Sequence, residues 1–157
     1  DNGIWLETKK VDESRTPDIL FIERCLDLLK PGGRMAIVLP DGILGNNGLE
    51  YVRQYILNNA DIVAIIDCPV ESFLPSTDTK TSLLILKKKK AEGLPQTFDT
   101  FMAIAKTCGH DRRGKEIYIR DNEGNPLVVD GNPVINNDLV EITRRLIDHV
   151  KVRNIYN

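Results

Sequence analysis

Residues 68–80 read CPVESFLPSTDTK, a polar, turn-rich stretch with one phenylalanine, Phe73, among Glu71, Ser72, Pro75, Ser76, Thr77 and Asp78. A plain connection needs no bulky aromatic there, and on the residues alone the simplest role for Phe73 is a hydrophobic anchor at the edge of a sheet. A second candidate is GHDRRGK, residues 109–115, where Arg112, Arg113 and Lys115 stand beside two glycines. Cations and accessible backbone N–H groups in such a loop suit phosphate; the alternative is a solvated turn. Asp41 and Asp67 each follow an apolar run of strand length, where α/β proteins build their sites, although Asp67 could equally cap a turn.

Other constellations are excluded by spacing. Gly42, Gly45 and Gly48 in DGILGNNG do not fit G-x-G-x-x-G, and no Gly-Lys-Ser/Thr follows, so a loop needing permissive backbone angles is the expected explanation. His110 and His149 have no companion ligand or nucleophile at useful spacing. Cys25, Cys68 and Cys108 are far apart and odd in number, without the pairing of a zinc site or the density of a disulfide scaffold, so no metal is expected and a reducing cytoplasm is. The run Lys87–Lys90 reads as the solvated end of a strand.

The elements that must position these residues follow from periodicity. TPDILFIERCLDLLKPGG carries Thr16 as a candidate N-cap and Pro17 at the first helical position. Ile22, Cys25, Leu26 and Leu29 recur on one face, and Pro31-Gly32-Gly33 ends the helix. RMAIVLP, a continuous apolar run, predicts a strand covered on both faces. LEYVRQYILNNA predicts a helix with Leu49, Val52, Tyr55 and Ile56 inward, and DIVAIID a second buried strand. This helix–strand alternation is that of an α/β sheet. TSLLILKK is a third strand, reached through residues 68–80, a connection too short for a crossover helix, so it should run antiparallel to its predecessor.

Beyond the linker AEGLPQ the pattern changes: FMAIAK is a short apolar segment and IYIRDNEGNPLVV a hairpin turning at Asn122 to Asn125. NNDLVEITRRLIDHV is a capped amphipathic helix with Leu139, Ile142, Leu146 and Val150 aligned. The expected organisation is therefore residues 1–90 as part of a sheet domain and 91–157 as an attached extension.

At 157 residues, 41% hydrophobic and 28% charged, the composition is that of a globular domain, and a net charge of -2 announces no overall attraction to nucleic acid. No run approaches the roughly 18 apolar residues of a membrane helix, and DNGIWLETKK lacks a signal-peptide core. The chain begins without methionine, which suggests a piece of a longer polypeptide.

The run ILFIERCLDLLKPGGRMAIVLPDGILGN closely resembles the second half of the catalytic domain of adenine-specific N6 DNA methyltransferases, above all type I restriction modification subunits and their single-chain relatives. The likeness continues through YVRQYILNNADIVAIIDCP, SFLPSTDTKTSLLILKK and FMAIAKTCGHDRRGK, covering about residues 17 to 117. The resemblance implies a partial Rossmann-like class I methyltransferase sheet, its last three strands, with the final strand antiparallel between its two predecessors and a small α+β extension. It implies S-adenosylmethionine as cofactor, DNA as substrate, and specificity and restriction subunits as partners.

The family's glycine-containing cofactor loop and its Asn-Pro-Pro-(Phe/Tyr) motif are not found here. Asn125-Pro126-Leu127 and Asn132-Pro133-Val134 each have one proline and are better read as turns. No catalytic residue is therefore expected in this chain, which would be inactive alone. By resemblance, Phe73 takes the position of the base-stacking aromatic and Phe21 an apolar position that packs on the cofactor's adenine. Lys80, Arg112 and Arg113 would contact DNA. For Phe21 simple core burial is the alternative. A non-catalytic DNA-binding or subunit-assembly module is the rival reading, and the bare edge of the strand from Arg34 to Leu39 should self-associate or be shielded by the N-terminal segment.

Overall fold

A computed structural model describes residues 15–155. Helix α1 (Pro17–Leu28) starts where expected: Thr16 is the N-cap residue but its side chain makes no capping hydrogen bond, Pro17 sets the first helical φ, and the Ile19 N–H donates to the Thr16 carbonyl at 3.1 Å. Its end is built by glycine. Gly32 adopts φ +75°, and a Cβ on Gly33 would lie 2.7 Å from the Lys30 carbonyl oxygen, so the chain can only turn this tightly without a side chain there.

Strand β1 (Arg34–Pro40) follows, then a short helix α2 (Asp41–Gly45), a 3-10 turn at Asn47–Leu49, helix α3 (Glu50–Asn59) and strand β2 (Ala60–Asp67). The expected glycine-rich loop after β1 is thus mostly helical. Gly42, Gly45 and Gly48 have ordinary φ values, and Gly42 and Gly45 face open space, so nothing in the structure explains why those two positions are glycine. Arg53 braces this turn, donating to the carbonyls of Ile43 (3.1 Å) and Asn46 (2.8 Å).

Strands β3 (Thr81–Lys88) and β4 (Phe101–Ile104) complete a four-stranded sheet of order β1-β3-β2-β4. Backbone bonds set its directions. The start of β1 meets the end of β3, where the Lys88 N–H donates to Gly33 and the Gly32 N–H to Lys88. The end of β2 meets the start of β3 through the Cys68 N–H and the Thr81 carbonyl, and its start meets the end of β3 through Lys89 and Asn59. β3 is therefore antiparallel to both neighbours, for β2 as the short connection between them requires.

The apolar segment 101–104 is β4, an edge strand. The preceding linker is tied to β2: the Gln96 side chain accepts from the Ile62 N–H (2.8 Å) and donates to its carbonyl (3.2 Å), which the Thr100 hydroxyl also reaches (2.8 Å).

The chain divides into two compact units. The first runs through Ile65 and includes Ser82–Phe101. Its core joins Ile22 and Leu26 of α1, Leu39, Ile43, Val52 and Ile56 to Leu84 and Leu86. Lys88 Nζ donates to the Leu26 (2.7 Å) and Leu29 (2.9 Å) carbonyls, so part of the lysine run is a cap for the C-terminal end of α1. One expectation is corrected here. β1 alternates rather than being covered on both faces, and Val38 is 43% exposed, because the core helices pack on one side of it only. β1 is an edge strand among the described residues. Any shielding of that edge by the N-terminal segment concerns residues 1–14, which lie outside the described residues.

The second unit comprises Ile66–Thr81 and the chain from Met102 onward. The expected hairpin turn lies at 121–125, where the Asp121 carboxylate accepts from the Glu123 and Asn125 N–H groups. A further hairpin joins β5 (Val128–Val129) to β6 (Asn132–Pro133) through Asp130 and Gly131, both at positive φ, so Asn132-Pro133 is strand rather than turn. Helix α4 (Asp138–Val152) is capped by the Asn137 side chain and buries Ile142 and Val150.

Candidate functional site

The segment between β2 and β3 is closed and shaped by a short series of backbone bonds. The Cys68 N–H meets the Thr81 carbonyl at 3.1 Å, closing its neck. Val70–Phe73 then form a 3-10 turn, with the Ser72 N–H on the Pro69 carbonyl (3.0 Å) and the Leu74 N–H on that of Glu71 (3.1 Å). The Thr77 N–H returns to the Phe73 carbonyl at 3.1 Å. These local bonds fix the backbone at Phe73, a residue left 39% exposed. An anchor sealed inside a sheet edge would be buried; Phe73 is partly exposed.

Two of the sequence candidates, Lys80 and Arg112, are ion-paired. Lys80 Nζ donates to the Asp67 carboxylate and to the Cys68 carbonyl, so this ammonium folds back across the neck. Arg112 Nε lies 3.4 Å from Glu71 Oε1, with its side chain 75% exposed. Such a contact contributes little at a surface. The Asp111 carboxylate accepts from the Arg113 (2.8 Å) and Lys115 (2.9 Å) N–H groups. The Lys115 N–H, then that of Arg113, hold the Asp111 carboxyl below its ordinary range. The loop was expected to offer backbone N–H groups to phosphate; those of Arg113 and Lys115 are already used by Asp111.

Phe73, Lys80, Arg112 and Arg113 belong to one unit, organised by Asp67, Glu71 and Asp111. Of these three acids, Asp67 stood out in the sequence at the end of a strand, and Asp111 also carried a signal: Asp followed by Arg-Arg-Gly-Lys has the composition of a side-chain-closed turn. Glu71 carried none. Phe21 belongs to the other unit. It is 61% exposed on α1, whereas its neighbour Ile22 is fully buried, so simple core burial does not describe Phe21.

In that same unit Asp41 opens α2 and accepts the Ser82 hydroxyl at 2.8 Å. His110 Nε2 approaches Cys108 Sγ at 3.6 Å, and His149 lies in the last turn of α4. The cysteines are free thiols, and among the described residues no group of three or more His, Cys, Asp or Glu could hold a metal ion. No helix of the described residues is long and apolar enough to cross a membrane.

The fold is α/β, a mixed sheet with helices. The family model described as N-6 DNA Methylase matches residues 1–128, and the chain belongs to that family. A curated relative, the Type I restriction enzyme EcoEI methylase subunit of Escherichia coli, is 30% identical over 77 residues, 48% of this chain and 16% of the relative. A solved chain of a type I R-M system matches over 90% of this chain and 26% of its own length, with a TM-score of 0.53 and 21% identity, a likeness of fold. A Listeria monocytogenes structure assigned to the class I S-adenosylmethionine-dependent methyltransferases matches over 57% of this chain and 27% of its own length, with TM-score 0.48 and 29% identity. The chain thus spans about a sixth of the curated relative and about a quarter of each structure.

Proposed function

We propose that this chain is the C-terminal part of the catalytic domain of a DNA adenine N6-methyltransferase of a restriction-modification system. The intact protein would transfer a methyl group from S-adenosylmethionine to adenine N6. The family match over residues 1–128 carries this reading. The antiparallel β3 between β1 and β2 supports taking these as the fifth, seventh and sixth strands of the methyltransferase sheet. On this reading residues 1–90 are the catalytic-domain part and 91–157 the extension.

Methylating an exocyclic amine in a duplex requires the base to leave the stack and be held by its face and polar edge. Phe73 supplies the face: a partly exposed aromatic at the end of the 3-10 turn between β2 and β3. Arg112 and Arg113 approach the phosphates with their side chains, positioning the duplex without reading its sequence. The described residues fit the cofactor at one point, the exposed Phe21 ring on which an adenine can pack.

The test is methyl transfer to DNA. The intact protein should label adenine N6, and the 157-residue chain alone should not, because it lacks the cofactor loop and the catalytic Asn-Pro-Pro motif. Methylation by the chain alone would overturn this assignment.

A second reading, subunit assembly with a specificity or modification subunit, is favoured by α4, which leaves Val140, Ile147 and Val152 exposed. Deleting residues 137–157 and measuring subunit association checks it: unchanged association removes that role.

A further inference from the structure

The connection that carries Phe73 has a weak frame. Between the neck bond at Cys68 and Thr81 its backbone bonds are local turns, with no ladder to a neighbouring strand among the described residues. A stacking ring needs a set position, since misplacing a reacting or holding group by about 1 Å costs on the order of a hundredfold in rate. Something must hold the neck.

Lys80 is the group in place to do so. It is the last residue before β3, and its ammonium spans the gap to both Asp67, the last residue of β2, and the Cys68 carbonyl. Arg112 with Glu71 forms a looser strut at 3.4 Å. A lysine serving phosphate would direct its ammonium outward. Here the opposing Asp67 charge offsets it, leaving little net attraction for a polyanion.

We propose that Lys80 is a positioning residue: with Asp67 it clamps the neck of the 68–80 connection and so fixes where the Phe73 ring stands, rather than contacting DNA. This rests on the reading of Phe73 as the base-stacking ring.

Two measurements test it. In the 157-residue chain, Lys80→Met should speed amide hydrogen exchange in residues 70–79 by about two- to fivefold, the range for a partly exposed pair, with little change in β2 and β3. In the intact methyltransferase, Lys80→Met should lower kcat and the fluorescence of 2-aminopurine placed at the target base. The slope of log Kd against log salt should stay unchanged. Asp67→Ala should act in the same direction, and Lys80→Arg should restore both readouts.

A phosphate contact gives the opposite pattern: the salt slope falls by about one in Lys80→Met, Asp67→Ala tightens DNA binding, and exchange in 70–79 does not change. Any of these overturns the clamp. If Lys80→Met fails to fold, Asp67→Ala carries the same comparison. A wild-type protein that methylates no DNA would sink the methyltransferase reading, while the exchange result would still decide whether the clamp exists.

Discussion

Replacing Phe73 with Ala separates stacking from packing. A phenylalanine side chain offers about 200 Å², and Phe73 is 39% exposed, so roughly 80 Å² of ring is open to a partner. At about 25 cal/mol per Å² that area is worth ~2 kcal/mol, inside the ~1–3 kcal/mol range for an aromatic stacked on a base. Phe73→Ala in the intact enzyme should therefore weaken capture of the extruded adenine by about 30-fold. The assay is 2-aminopurine fluorescence at the target position, with single-turnover methylation beside it. Phe73→Trp should keep most of both, because the stacking face remains. The buried part of the ring predicts a separate loss of stability in the 157-residue chain, read by its denaturation midpoint. If the midpoint falls while base capture and methylation are unchanged, Phe73 is packing and the stacking argument is refuted.

The neighbours Phe21 and Ile22 should behave oppositely. Ile22→Ala, in the core of the first unit, should cost about 2–5 kcal/mol in chemical denaturation; Phe21→Ala should cost little stability but weaken S-adenosylmethionine binding to the intact protein severalfold by calorimetry. Gly33→Ala should destabilise by about 1–3 kcal/mol in the same denaturation assay, since the new Cβ meets the Lys30 carbonyl at 2.7 Å. On α4, the Arg144 and then the Arg145 guanidinium hold the Glu141 carboxyl down to about 2. Its folded value is depressed, so its support for the helix is full above the ordinary value of 4.5 and fades as pH falls toward 2. Carbon-detected NMR titration should find that low value, and Arg144→Ala with Arg145→Ala should return it toward 4.5.

The main elements were legible because periodicity and stop signals are local. Pro17, the Ile22 and Leu26 spacing, and Gly32-Gly33 specify α1 and its end without help from distant residues. The antiparallel direction of β3 was legible for a related reason: a connection of this length cannot make a parallel crossover. The helical turns of Asp41–Gly45 were hidden by their glycines, whose permissive backbone reads as loop until α3 and Arg53 pack against them. β4 was hidden by its shortness, since four apolar residues carry no periodicity and become a strand only beside β2.

The candidate site divides in the same way. Sequence alone determined that an aromatic stands in a polar connection between two strands, and that arginines cluster after the sheet, because residue type and spacing need no partner to be read. Tertiary structure decided what each of them touches. It turned Lys80 back onto Asp67, set Arg112 against Glu71, gave the Arg113 and Lys115 N–H groups to Asp111, and left Phe21 exposed beside a buried Ile22. A charge or a ring acts through whatever lies within a few ångströms of it, and residues 13 or 41 positions apart become neighbours only when the chain folds.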